Sequence, residues 1–485
     1  MSQQAEVFWN FSVIPKLAPF VLICLSGSVT LSAQEESLAS RPPNVLLLLA
    51  DDMTFRDLGC YGHPDVATPH LDTLAAQGLR FRNCFNSSPM CAPTRMSLYT
   101  GIHPVRNGAW PNHSRVYDNV RSLPHHLDAA GYRTALLGKR HEAPLANFPF
   151  QHLGGRHHDN GEGVALPIDK AKEFIAKPND KPWCLVVASN QPHSPWNRGD
   201  ASEYVAEDLD VPPHMIDTPE TREALTRYYA EISYMDSQVG QCLKLLEESG
   251  QAKQTLVLFL SEQGSQIPFG KWTCYETGLR SAAIARWPGI IAEGTTCDAL
   301  IQYVDVVPTL MDIIWSSAGT RFDPQDQFDG KSFKHLLTDP GATHHEHVCG
   351  LQTTVGVGGS RQPYGIRTIR SASHRLIWNL QHENAFDIGG WRNLPLLKSW
   401  KDLAETGEDQ FAVSLVERMT RRPEFELFDI QTDPFCMKNL ASDESLTDVK
   451  NKLQTTLREW MKQQGDSGAA TEIAGSERRA KKKKK

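Results

Sequence analysis

The sequence has no Cys-x-x-Cys pair. Its ten cysteines (24, 60, 84, 91, 184, 242, 274, 297, 349 and 436) are scattered, which excludes a zinc ribbon and a thioredoxin-type site. Their spacing fixes no disulfide pairing, and most read as small buried hydrophobes. No internal apolar stretch reaches the ~20 residues that a membrane-spanning helix needs. No internal repeat is present, so solenoids and propellers are excluded. The body also lacks basic charge. The 485 residues carry 50 basic against 57 acidic side chains, and seven of the positives lie in Arg478–Lys485. Residues 1–477 therefore hold 43 against 57, or −14, and such an acidic body argues against nucleic-acid binding. What is present is ample core material. Forty per cent of residues are hydrophobic, with 11 Trp and 19 Phe, which excludes wholesale disorder. The length suggests about two or three domains.

The two ends differ from the body. Residues 17–31 (LAPFVLICLSGSVTL) form an apolar run behind Lys16, with small Ser32 and Ala33 and then polar Gln34 to Glu36. This predicts a secretory signal peptide over 1–33, an uncleaved anchor being the alternative, and an exported, periplasmic or secreted protein with no transmembrane segment after cleavage. Ile23 before Cys24 is too bulky for a lipoprotein cleavage site. Residues 466–485 are polar, end in five lysines, and read as a basic disordered tail.

From Asn44 the chain alternates short apolar runs with helical patterns. Val45–Ala50, Thr134–Leu137, Cys184–Ala188, Leu256–Leu260 and Ala282–Arg286 are continuous runs of strand length. Continuous hydrophobicity marks strands covered on both faces. Between them, Pro69–Gln77, Arg222–Glu248 and Tyr303–Ile314 carry apolar residues at spacings of three and four. The fold class is α/β, a mostly parallel central sheet sandwiched by helices, over 42–345. After a glycine-rich stretch at 341–359, weaker strands (365–369, 375–380 and 425–428) and an amphipathic helix at 446–461 predict a smaller α+β domain over 346–465.

Open parallel sheets place their chemistry at the C-terminal ends of strands. Behind Val45–Ala50 comes Asp51-Asp52. Behind Leu256–Leu260 comes Ser261-Glu262-Gln263-Gly264. Adjacent carboxylates at a strand end repel one another unless a cation or a solvated turn relieves them. Two such ends together point to a hard divalent ion held by oxygen ligands. A third pattern, Cys91-Ala92-Pro93-Thr94-Arg95, has proline in the first turn of a helix. It places Cys91 at a helix N-terminus, where free N–H groups favour negative charge, with Arg95 one turn on.

These patterns resemble the type I sulfatases of the alkaline-phosphatase superfamily. Cys91-Ala92-Pro93-Thr94-Arg95 resembles that family's Cys-x-Pro-x-Arg signature, whose cysteine is oxidised to formylglycine. Thr68–Ala75 (TPHLDTLA), Gly131–Thr134 with Gly138–His141 (GYRT, GKRH), Pro192–Pro195 (PHSP), Lys271–Glu276, Val304-Asp305 with Pro308-Thr309, and Glu426–Asn439 resemble its other landmarks. The order is kept over about residues 42–465. Residues 138–150 and 209–240 look most like the heparan N-sulfatase (sulfamidase) branch.

The resemblance implies an alkaline-phosphatase-like fold and one calcium ion held by Asp51, Asp52, Glu262, Gln263 and residue 91. It implies a hydrated aldehyde at position 91, one hydroxyl attacking sulfur and the other later expelling sulfate. Arg95 would stabilise the diol, Lys139 and Lys271 would neutralise sulfate oxygens, His141 would act as base, and His193 would act as acid toward the leaving atom. The implied partners are a sulfated glycan or small sulfated substrate and, in maturation, a formylglycine-generating enzyme. Glu262-Gln263 departs from the family's usual Asp followed by Asn or His, each side chain being one methylene longer. Thr94 replaces the usual Ser. Trp110, Trp196 and Trp272 are open to two readings, core packing or a sugar subsite. A phosphodiesterase or phosphonate hydrolase on the same fold, and a non-catalytic glycan-binding relative, are the rival functions.

Overall fold

The computed structural model describes residues 42–156, 165–177, 181–323 and 327–483. The expected signal peptide over 1–33, with Cys24, lies outside the described residues. The strands are β1 (Asn44–Leu49), β2 (Leu79–Phe85), β3 (Arg133–Gly138), β4 (Gln151–His152), β5 (Trp183–Ala188), β6 (Thr255–Leu260), β7 (Arg280–Arg286), β8 (Thr295–Cys297), β9 (Ile301–Gln302), β10 (Val348–Thr353), β11 (Gly365–Arg370), β12 (His374–Asn379) and β13 (Phe425–Asp429). Nine of them form one sheet in the order β4-β3-β5-β1-β6-β7-β2-β8, with β9 beside β2. All its pairings are parallel except those of β7 with β6 and β2.

β1 shows why the sandwich forms. All six of its residues are buried, and period-2 geometry sends them alternately to the two faces. Leu46 and Leu48 join a core with Leu225, Tyr229, Ile232 and Met235 of the long helix Pro219–Glu248. Val45, Leu47 and Leu49 join another with Met96 and Leu98 of the helix Cys91–Thr100 and with Leu310, Ile313 and Ile314 of the helix Val306–Ser317. Fully burying such a leucine contributes about 1.5–3 kcal/mol, so neither face tolerates exposure.

β10 to β13 form a four-stranded antiparallel sheet. The helix Thr447–Gln463 lays Leu453, Leu457 and Met461 on Ile369, Leu376 and Leu427. Helices Pro395–Thr406 and Gln410–Thr420 were not foreseen. The first fastens to the long helix, Trp400 Nε1 donating to Thr221 Oγ1 at 2.7 Å. No helix among the described residues is long and apolar enough to cross a membrane. All nine described cysteines are unpaired.

The expected disordered tail is corrected. Ala469–Lys483 is helical, because Arg367 on β11 is fully buried and requires countercharge. Asp466 pairs with its Nε, and Asp466 Oδ1 and Glu472 Oε1 accept from its Nη2 at 3.1 and 2.9 Å. Farther along, Gly475 packs so close to Trp110 that a Cβ there would lie 2.7 Å from its Nε1. Arg478 donates to the Arg115 carbonyl at 2.7 Å and lies over the Tyr117 ring. A polar composition hid these contacts, because the segment is held by charge rather than by an apolar face.

Candidate active site

β1 and β6 run parallel in register, Leu49 opposite Leu260. Their C-terminal ends therefore deliver Asp51-Asp52 and Glu262-Gln263 to the same place, and all four side chains are buried. Asp52 and Glu262 both adopt left-handed backbone, with φ 63° and 62°, a conformation uncommon outside glycine and enriched at functional sites. The Glu262 turn is held through its carbonyl, which accepts from Asn86 Nδ2 at 3.1 Å and Ser281 Oγ at 2.5 Å. Asp51 N donates to the Gln191 carbonyl at 2.9 Å, tying in the end of β5.

Cys91 opens its helix. Met90 before it is extended, Thr94 N closes the first turn on the Met90 carbonyl at 3.0 Å, and Gly101 ends the helix in left-handed conformation. Pro93 lies where a helix lacks internal N–H partners, so it removes nothing. Cys91 Sγ is 3.6 Å from Asp52 Oδ1 and 3.1 Å from Gln263 Nε2. One ligand atom from each of Asp51, Asp52, Cys91 and Glu262 lies within 4.8 Å of all the others.

Three cations surround these carboxylates. Arg95 Nε pairs with Glu262 Oε1 at 2.5 Å, and its Nη2 lies 3.6 Å from Asp51 Oδ1. Lys139 Nζ pairs with Asp51 Oδ2, and Lys271 Nζ with Asp52 Oδ2 at 2.6 Å. His193 Nε2 lies 3.4 Å from Asp52 Oδ2. Thus nine of the ten expected site residues have a contact within this cluster. His141 places its Nε2 2.9 Å from His113 Nδ1.

Burial pushes the Asp51 carboxyl up, but the facing Lys139 ammonium and its other partners prevail and hold it well below the usual range. Burial dominates at Glu262 and raises it well above, despite Arg95. Burial also pushes the Cys91 thiol up to about 12, against the pull of Lys139 and Lys271. The unmodified side chain is thus a neutral thiol and a poor nucleophile at neutral pH. Burial and the Lys271 charge lower the His193 imidazole.

The donor set fits a hard divalent cation. Asp51 Oδ1 and Glu262 Oε2 are buried with no hydrogen-bond partner, and an orphaned buried carboxylate oxygen costs several kcal/mol unless a charge compensates it. Gln263 presents Nε2 to Asp52 Oδ1 at 2.6 Å. Turning its amide over would exchange donor for acceptor and bring Oε1, which has no hydrogen-bond partner, to the same place.

His113 escaped the sequence reading. It is half-buried, carries left-handed backbone at φ 58°, and meets His141. The Pro111-Asn112-His113-Ser114 run was a turn signal, but one histidine among 18 carries no marker of its own. Of the three tryptophans, Trp110 and Trp272 are buried, the latter against Trp391 at 6.0 Å. Trp196 is half-buried beside the His193 loop, donating to the Pro192 carbonyl at 2.9 Å.

The sulfatase family pattern matches residues 43–314. An ulvan-active sulfatase of Formosa agariphila is 31% identical over 460 residues, covering 92% of this chain and 87% of its own. The human N-sulphoglucosamine sulphohydrolase is 28% identical, covering 87% of this chain and 90% of its own. Among solved structures, a protein in complex with its substrate D-glucosamine-2-N,6-O-disulfate superposes with TM-score 0.66 at 20% identity, covering 88% of this chain and 99% of its own.

Proposed function

The chain belongs to the sulfatase family, hydrolases of sulfuric esters, and from that premise we propose that it removes sulfate from a sulfated glycan at a pocket centred on residue 91. The observation that carries this reading is the convergence of Cys91 at a helix N-terminus with carboxylates from two neighbouring strand ends. In this reading the hydrated aldehyde at position 91 supplies the nucleophile, and a calcium ion held by Asp51, Asp52, Glu262 and Gln263 supplies Lewis acidity.

The chain's own groups do the rest. Lys139 and Lys271 now lean on Asp51 and Asp52. With those carboxylates engaged elsewhere, both ammonium groups turn to the sulfate oxygens, where negative charge must be held. Arg95, pinned by Glu262, fixes residue 91 from one turn below. His193 is half-buried beside Asp52, and its Nδ1 meets the Ser194 carbonyl at 2.6 Å. That contact holds the proton of the neutral ring on Nδ1, so Nε2, 3.4 Å from Asp52 Oδ2, must first take up a proton before passing it to the departing oxygen or nitrogen. His141, held by His113, is assigned as the base.

The relatives named for ulvan and for N-sulphoglucosamine support a sugar substrate, and Trp196 is the tryptophan with surface left to stack on one. The apolar run at 17–31 supports export before the enzyme meets a polysaccharide. The test has two parts. Mass spectrometry of the tryptic peptide Asn83–Arg95 should find an aldehyde in place of the thiol. Sulfate release should then be measured from ulvan and heparan oligosaccharides, with matched phosphate esters alongside. A free thiol in protein from the native host with no sulfate release would leave only the binding role, and preference for the phosphate esters would select the phosphohydrolase.

A further inference from the structure

A second cluster of metal-ligating side chains lies outside the pocket, and we propose that Asp305, His344 and His345 bind a divalent transition-metal ion of the zinc class. Their ligand atoms lie within 4.8 Å of one another. His345 Nε2 is 3.0 and 2.9 Å from Asp305 Oδ1 and Oδ2, and His344 Nε2 is 3.5 Å from Oδ2. A tetrahedral ion with ligands at ~2.0–2.2 Å has neighbouring ligands about 3.4 Å apart, so the cluster needs only small adjustments. Two imidazoles and one carboxylate form a borderline donor set that suits zinc better than calcium.

The hydrogen-bond inventory argues against a purely structural cluster. Asp305 already accepts from Gln302 N at 2.7 Å and Lys331 N at 3.0 Å. His345 Nε2 adds a third donor, its single N–H shared between both oxygens. His344, whose side chain is only 2% exposed, keeps its Nε2 3.5 Å from Oδ2 without the geometry of a hydrogen bond. Burying an unpaired imidazole nitrogen is unfavourable, and an ion between the rings satisfies it. The two main-chain amides on Asp305 would orient the carboxylate from behind, as outer partners of metal ligands do. The Lys331 ammonium holds the His344 carbonyl at 2.8 Å.

The location gives the ion a role. Asp305 follows β9 and precedes the helix at 306–317. His345 N reaches the Leu300 carbonyl at 3.4 Å, three residues before β10 begins. The ion would staple the large sheet to the entry of the small one, remote in function from residue 91.

The test uses the whole protein saturated with calcium. After zinc addition and dialysis, elemental analysis should find close to one zinc per chain, with a rise of several degrees in Tm. His344→Ala removes one ligand without touching the donors on Asp305, and His345→Gln keeps a donor for Asp305 while losing the imidazole. Both variants should lose the bound zinc and the Tm rise while keeping sulfatase activity. Zinc far below one equivalent in the wild type, or uptake and stabilisation undiminished in both variants, would overturn the assignment.

Discussion

Two groups of fully buried charges can be set side by side. Around residue 91, Asp51, Asp52 and Glu262 face Arg95, Lys139 and Lys271. In the C-terminal region, Arg367 faces Asp466 and Glu472. The second group is closed. Asp466 Oδ1 also receives Gly468 N at 3.0 Å, and Glu472 Oε2 receives the Thr353 hydroxyl. The first group is open, with Asp51 Oδ1, Glu262 Oε2 and both terminal Arg95 nitrogens lacking hydrogen bonds. Equal burial therefore serves opposite ends. A closed network fastens one segment to another, while an open one keeps its charge for a ligand that arrives later.

The sharpest way to separate the two is Cys91→Ala. Turnover should fall by roughly 10⁴-fold or more, measured as released sulfate, while Tm stays near that of the parent. Arg367→Met should do the reverse. It strands two buried carboxylates, a loss of about 3–5 kcal/mol readable in urea unfolding, and leaves kcat of the folded fraction intact. If Arg367→Met abolished kcat at full stability, the closed network would have to be regarded as part of the site. Lys271→Ala should lower kcat by about 10²–10³ with a smaller effect on stability, and an unchanged rate would remove it from the pocket.

The smallest effect concerns Asp57, which belongs to neither group. Its carboxyl accepts from Tyr228 OH at 2.6 Å and Thr54 N at 3.2 Å. Burial raises it from 3.8 to about 7, against those bonds. The folded state thus holds a proton that the unfolded chain releases. Stability from this group is greatest below about pH 4, falls as pH rises toward 7, and is flat beyond. Asp57→Asn should flatten that slope in Tm measured against pH. A slope that survives the exchange would have another source.

Much of this was legible because continuous apolar runs end in acids. Val45–Ala50 and Leu256–Leu260 marked the strands β1 and β6, and their sequels Asp51-Asp52 and Glu262-Gln263 marked the polar cluster that gathers at their ends. What escaped was of other kinds. β2 (LRFRNCF) interleaves arginines with apolar residues, and so broke the continuous pattern. β10 lay inside the glycine-rich stretch at 341–359, where no strand was expected. The helix at 469–483 has no apolar stripe of note and depends on Arg367, a hundred residues upstream. His113 is set by loop geometry, which periodicity does not record.

The matched left-handed turns at Asp52 and Glu262 carry one more implication. Where φ is near +60°, β-branched and bulky residues are strongly disfavoured, so these positions restrict shape as well as charge. Side-chain length then becomes the free variable: with its main chain locked, Glu262 extends far enough to meet Arg95. Anyone transplanting this pocket into another scaffold would need to copy two bends of the peptide chain first, and only afterwards choose the acids to hang from them.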